Sequence, residues 1–125
     1  MKKLLILLFS ILISFPLLAK EEILYCTDTD HVGFHPEDNY SKVTEFIKAR
    51  HTIKIDFQNK SLELESYPYW NCDMPSPGDQ MHCTLDGYSF FIDIETHKFT
   101  YAKGFGYVAS NNDSVSIAYG TCEKF

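Results

Sequence analysis

The chain has 125 residues, a formal charge of −6, 45% hydrophobic residues and four cysteines. That length and apolar content suit one domain with a single modest core and leave no room for a second. An acidic balance argues against nucleic acid and against an anionic membrane surface as partners, since both are met by clustered Lys and Arg.

Residues 1–19 read as a secretory signal peptide. Lys2 and Lys3 form its positive start, Leu4 to Ile13 is an apolar run interrupted only by Ser10, and Leu17-Leu18-Ala19 is an acceptable cleavage site. The run is shorter than the roughly 20 apolar residues of a spanning helix. No transmembrane segment is therefore expected after cleavage, and the destination is periplasmic or secreted. Residues 20–125 then form a single disulfide-stapled domain. Without Lys2 and Lys3 the 11 basic residues fall to nine against 17 acidic ones, a formal charge of −8. That sign suits a cationic partner, and it also keeps an exported protein soluble.

Four cysteines in a small exported domain are read as two disulfides. Cys26 with Cys122 and Cys72 with Cys83 is the favoured pairing, because the first joins chain ends, which lie near each other in compact domains. The two other pairings would tie together the halves of the chain and stay open. There is no C-x-x-C spacing, so neither zinc nor any other cofactor is indicated.

Along the remaining chain, apolar residues alternate with polar ones between turn signals, the pattern of half-buried strands. Ile23 to Cys26 reads as a short first strand, and Tyr40 to Arg50 as an extended segment or a single helical turn. Ile53, Ile55 and Phe57 share one face of the next run, and Leu62 and Leu64 share one face of the run after it. Gln58-Asn59-Lys60 connects these two runs into an antiparallel hairpin. Tyr67 to Asp86, with Pro68, Pro75, Pro77 and Gly78, reads as a long irregular loop tied by Cys72 and Cys83. Loops of that length in compact domains are often functional.

A second hairpin places Phe90, Ile92 and Ile94 inward on one strand and Phe99 and Tyr101 inward on the other, with Glu95 to Lys98 turning between them. Phe105 to Ala109 is expected to be a strand pairing with the last one. That last strand, Ser114 to Tyr119, carries Val115, Ile117 and Tyr119 on one face and Ser114, Ser116 and Ala118 on the other. Six to eight short strands with no long helix predict an all-β domain, an antiparallel meander closed into a small barrel or sandwich.

Two groups are candidate sites. Tyr67, Tyr69 and Trp70 open the tied loop and offer rigid contact area for a ligand or a protein partner; the commoner role for such rings is to pack over the end of a barrel. If they are presented, loss of Tyr69 and Trp70 weakens binding and leaves thermal stability nearly unchanged. Asp28, Asp30, His31 and His35 carry oxygen and nitrogen atoms that suit a divalent metal. Gly33 and Pro36 keep the two histidines off a common helix face, and the string lacks the further acidic positions of a calcium loop, so a solvated acidic loop is the better reading. His51, His82 and His97 stand alone in sequence. No nucleophile motif is present.

Tyr25-Cys26, Phe57 and Leu62 in the central hairpin, and the ending Tyr119-Gly120-Thr121-Cys122-Glu123-Lys124-Phe125 resemble a group of small exported proteobacterial proteins with a G-T-C-x-K-F-type ending. The resemblance covers most of residues 20–125 and implies no activity. A weaker likeness is to periplasmic inhibitors of c-type lysozyme, small β-barrels with an early Y-x-C and a late cysteine. Here Tyr25 and Cys26 are adjacent and the S-G-A-rich inhibitory loop is lacking, so the likeness is one of architecture and carries over no site.

The sequence thus favours a non-enzymatic binding or inhibitor-like domain that presents the loop from Tyr67 to Asp86 to an unknown protein or small ligand. A small metal-dependent or hydrolytic envelope enzyme and a structural envelope component are the alternatives.

Overall fold

The computed structural model describes residues 21–65, 67–73, 80–109 and 112–124, with side chains from Trp70 onward in the second stretch. The leader, residues 74–79 and the side chains of Tyr67 and Tyr69 lie outside the described residues. Among the described residues nine strands occur in chain order: β1 (Glu21–Phe34), β2 (Val43–Glu45), β3 (Arg50–Asp56), β4 (Ser61–Leu64), β5 (Tyr67–Asp73), β6 (Gln80–Leu85), β7 (Tyr88–Asp93), β8 (Lys98–Lys103) and β9 (Val115–Lys124). A four-residue helix, α1 (Phe105–Val108), lies between the last two. Strands β1 and β3 to β9 pair antiparallel as a meander, β9 returns to pair with β1, and β2 is an extra strand beside the far end of β1. The result is a closed eight-stranded barrel, a size at which side chains can just fill the interior. No helix among the described residues is long and apolar enough to cross a membrane.

The alternation read in the sequence fills that interior. Ile53 and Ile55 from β3, Leu62 and Leu64 from β4, Phe90 and Ile92 from β7 and Phe99 from β8 are buried together, with Phe57, Ile94 and Tyr101 packed against them. Both hairpins form as expected, and at each an aspartate holds the turn. The Asp56 carboxylate accepts from the backbone N–H of Gln58 and Asn59, both at 3.0 Å. Asp93 does the same for Glu95 at 3.0 Å and Thr96 at 2.7 Å. These bonds favour the ionised form, so both carboxyl groups sit below the ordinary aspartate pKa, led by the backbone bond from Asn59 in one and from Thr96 in the other.

Both disulfides are inside the barrel and follow the favoured pairing: Cys26–Cys122 and Cys72–Cys83. Cys26 stands directly opposite Cys122 where β1 meets β9, so this bond, spanning 96 residues, staples the seam that closes the barrel. Cys72 and Cys83 oppose each other on β5 and β6.

Three local expectations are corrected, and the inward face of the last strand, left open by the sequence, is assigned. The first strand is 14 residues long rather than four, because a bulge between Asp28 and Asp30 lets it continue past a break in its alternation. Leu24, Cys26 and Asp28 point inward before the bulge, and Gly33 does so after it. The stretch from Tyr67 to Asp86 is two paired strands, not an irregular loop: Trp70 and Cys72 on β5, and Met81 and Cys83 on β6, keep the period of two despite Pro68. Phe105 to Val108 is a helical turn rather than a strand, since β8 already pairs with β9 and leaves that segment no free edge. Finally, on β9 the small residues face inward. Ser116, Ala118 and Cys122 are buried, while Ile117 and Tyr119 are 51% and 53% exposed. The seam is too tight for the opposite arrangement: a Cβ at Gly120 would strike the carbonyl oxygen of Thr27 and come within 2.9 Å of the Phe99 ring.

Candidate functional site

One end of the barrel differs from the rest of its interior. Here the inward positions of the strands are not aliphatic: β1 supplies Asp28, β3 supplies His51, β5 supplies Trp70, β7 supplies Tyr88 and β8 supplies Tyr101. Two tight turns close the rim, Glu65 between β4 and β5 and Asp86-Gly87 between β6 and β7. Asp86 and Gly87 both have positive φ (47° and 81°), the conformation a two-residue hairpin needs and one that Asp-Gly adopts readily. Between His51, Trp70, Tyr88, Tyr101, Glu65 and Asp86 lies a cavity of about 300 Å³, lined also by Leu64 and Leu85, with Asp28 behind His51.

The aromatic wall is continuous. Tyr88 and Tyr101 stack with centroids 5.8 Å apart, and Trp70 meets Tyr88 at 6.3 Å, Tyr101 at 6.2 Å and Phe90 at 6.4 Å. Trp70 is 2% exposed and forms the floor of the cavity rather than a presented surface. Its indole N–H is buried without a hydrogen-bond partner. The expectation that Trp70 can be removed without loss of stability is therefore replaced by the opposite one.

The polar side of the site is organised by Asp28, whose side chain is 1% exposed. One carboxylate oxygen lies 3.2 Å from His51 Nε2, and the other accepts from the Ala49 N–H at 2.9 Å. Ala49 lies just before β3 and His51 near its start, so the end of the neighbouring strand supplies both partners of the buried carboxylate. On its other side, His51 Nδ1 is 4.0 Å from Glu65 Oε1. The ring also leans on Tyr101, with centroids 6.2 Å apart. His51 is thus held between a buried and a half-exposed carboxylate at the cavity wall. The hydroxyls lining the cavity are those of Tyr88 and Tyr101; no serine, threonine or free thiol stands there among the described residues.

The string Asp28, Asp30, His31 and His35 lies on and just beyond β1, not on a solvated loop, and its members are not brought together. Asp30 turns back to accept from the His31 N–H at 3.0 Å. His31 Nε2 is 3.1 Å from Ser116 Oγ, and the ring stacks on Phe46. His35 Nδ1 accepts from the Glu37 N–H at the start of a single 3-10 turn. Among the described residues no three His, Cys, Asp or Glu side chains converge as a metal site would require. Asp28 finds its histidine 23 residues away, on the neighbouring strand.

A second depression lies on the outer wall, formed by Val32, Phe34, Val43, Ala102, Val115 and Ile117. It follows from the outward apolar face of β9 and carries few polar groups.

Sequence reasoning did not find the mouth of the barrel. Tyr101 was legible as inward-facing, and Asp86-Gly87 is a hairpin signal between two alternating runs that would have placed Asp86 and Tyr88 at one end. Nothing in the spacing joins His51 to Asp28. No protein-family profile matches the chain, and no curated protein or solved structure is significantly similar to it.

Proposed function

We propose that the protein is an exported, non-enzymatic binding domain that takes its ligand, or a side chain of a partner protein, into the mouth of the barrel. The observation that carries this reading is the cavity itself: about 300 Å³ of space walled by Trp70, Tyr88 and Tyr101 at an otherwise well-filled barrel's end. Concave sites with mostly apolar walls and a few placed polar groups are where small ligands bind. The leader and the two disulfides support an oxidising destination. Within the tied region read from the sequence, the site uses the floor residue Trp70 and the turn at Asp86, with the strands as a rigid frame.

Trp70 is the only tryptophan in the chain, so its emission reports on the cavity directly. Residues 20–125 titrated with a panel of small amines, monosaccharides and fatty acids should give a saturable change with at least one class. Leu85→Phe, which adds volume at the rim, should abolish it, and Ile117→Ala on the outer wall should not. If no class changes the emission, or Leu85→Phe responds as the wild type does, the mouth is not a binding site.

A further inference from the structure

Resting on the reading of the mouth as a binding site, we infer that the group it takes is an organic monocation, a guanidinium or ammonium on a short apolar stem. Three independent features of the site converge on that chemistry. The first is the wall. Two tyrosines and a tryptophan surround the space, and the faces of such rings attract cations, most strongly where water is excluded. The second is the rim. Glu65 and Asp86 stand at its edge. Lys103 shares a neighbouring depression with Asp86 but gives its ammonium to Asp113. Lys42, Lys54 and Lys124 pair with Asp38, Glu21 and Glu22, and the basic group beside Glu65 is the His51 ring, 4.0 Å away. Arg50, the one arginine of the chain, is on the outward face of β3 next to the inward His51. Two carboxylates at the mouth of a low-dielectric cleft focus a negative potential into it.

The third feature is the shape of the gradient from rim to floor. Carboxylates and Leu85 occupy the rim, stacked tyrosines the middle, and Leu64 and Trp70 the deeper wall. A stem that buries its carbons against Leu64 and Trp70 and holds its charge between the tyrosines and the carboxylates matches that order. A neutral apolar ligand would bring no charge to Glu65 and Asp86, and an anion would be repelled by them. The formal charge of −8 on residues 20–125 extends the attraction beyond the site and speeds the approach of a basic partner.

The test compares butylguanidine with butylurea, a neutral molecule of nearly the same shape, by Trp70 emission at low ionic strength. Butylguanidine is expected to bind at least about tenfold more tightly. The Glu65→Gln/Asp86→Asn variant should bring its affinity down to that of butylurea, and added salt should weaken it. An acetylated and amidated Gly-Arg-Gly tripeptide run in parallel separates the two sources of such a cation. Tighter binding than butylguanidine identifies an arginine of a partner protein, and weaker binding identifies a free amine. Equal binding of butylguanidine and butylurea, unchanged in the double variant, overturns the cation while leaving the mouth as a site. Silence from both, together with silence across the wider panel, overturns the site and the cation together.

Discussion

The two ends of this barrel are made from the same eight strands and are filled in opposite ways. At the end where β3 turns into β4 and β7 into β8, the interior is Leu24, Ile55, Leu62, Ile92 and Phe99, closed by the Cys26–Cys122 bond and by turns that Asp56 and Asp93 hold. At the mouth, equivalent inward positions carry Asp28, His51, Tyr88 and Tyr101, and a cavity remains. Burying a large aliphatic side chain stabilises a domain by about 1.5–3 kcal/mol, whereas burying a carboxylate is favourable only when its bonds are satisfied. The difference teaches that stability is concentrated at one end and that the other end accepts polar groups and empty space, the usual mark of a surface kept for binding.

The strongest way to break that comparison is to open the seam. Replacing Cys26 and Cys122 with alanine together removes a crosslink across 96 residues, which chain entropy values at about 4–5 kcal/mol. Denaturant unfolding of the double variant should show that loss. The floor of the cavity comes next. Trp70→Ala is expected to cost about 3–5 kcal/mol by the same measurement, because the indole belongs to the core that both ends share. Asp28→Ala, which leaves the Ala49 N–H and His51 without their acceptor, should cost about 1–3 kcal/mol and disturb the mouth more than the seam.

The smallest effect sharpens the comparison from the closed end. Asp56 and Asp93 have pKa values lowered in the folded state, so their stabilising effect is present above the unfolded aspartate value and is lost as pH falls through the folded one. Thermal midpoints should therefore decline as pH drops below about 4. Asp93→Asn should start lower at neutral pH and decline less.

Much of the closed end was legible in the sequence. Ile53, Ile55, Leu62, Leu64, Phe90, Ile92 and Phe99 alternate cleanly, and both the fold class and the pairing of the cysteines follow from that alternation and from the placement of Cys26 and Cys122. The mouth was not, for physical reasons that particular residues show. The bulge after Asp28 breaks the period of two, so residues that continue one strand read as a loop. On β5 and β6, Trp70, Cys72, Met81 and Cys83 keep the alternation, but Pro68, Pro75 and Pro77 hide it in the sequence. On β9 the larger residues face out because Gly120 leaves room inside for the Phe99 ring, so apolar size alone does not identify the inward face. The partnership of Asp28 with His51 is set by strand register, which no local pattern reveals.

The central claim is that the carboxylates of the mouth serve a ligand and not the fold. The denaturant midpoint of Glu65→Gln/Asp86→Asn tests it most directly, since Asn-Gly suits the turn at Asp86 as well as Asp-Gly does. A midpoint equal to or above that of the wild type is the predicted result. A fall of more than about 1 kcal/mol, the size of a lost structural hydrogen bond, would contradict it.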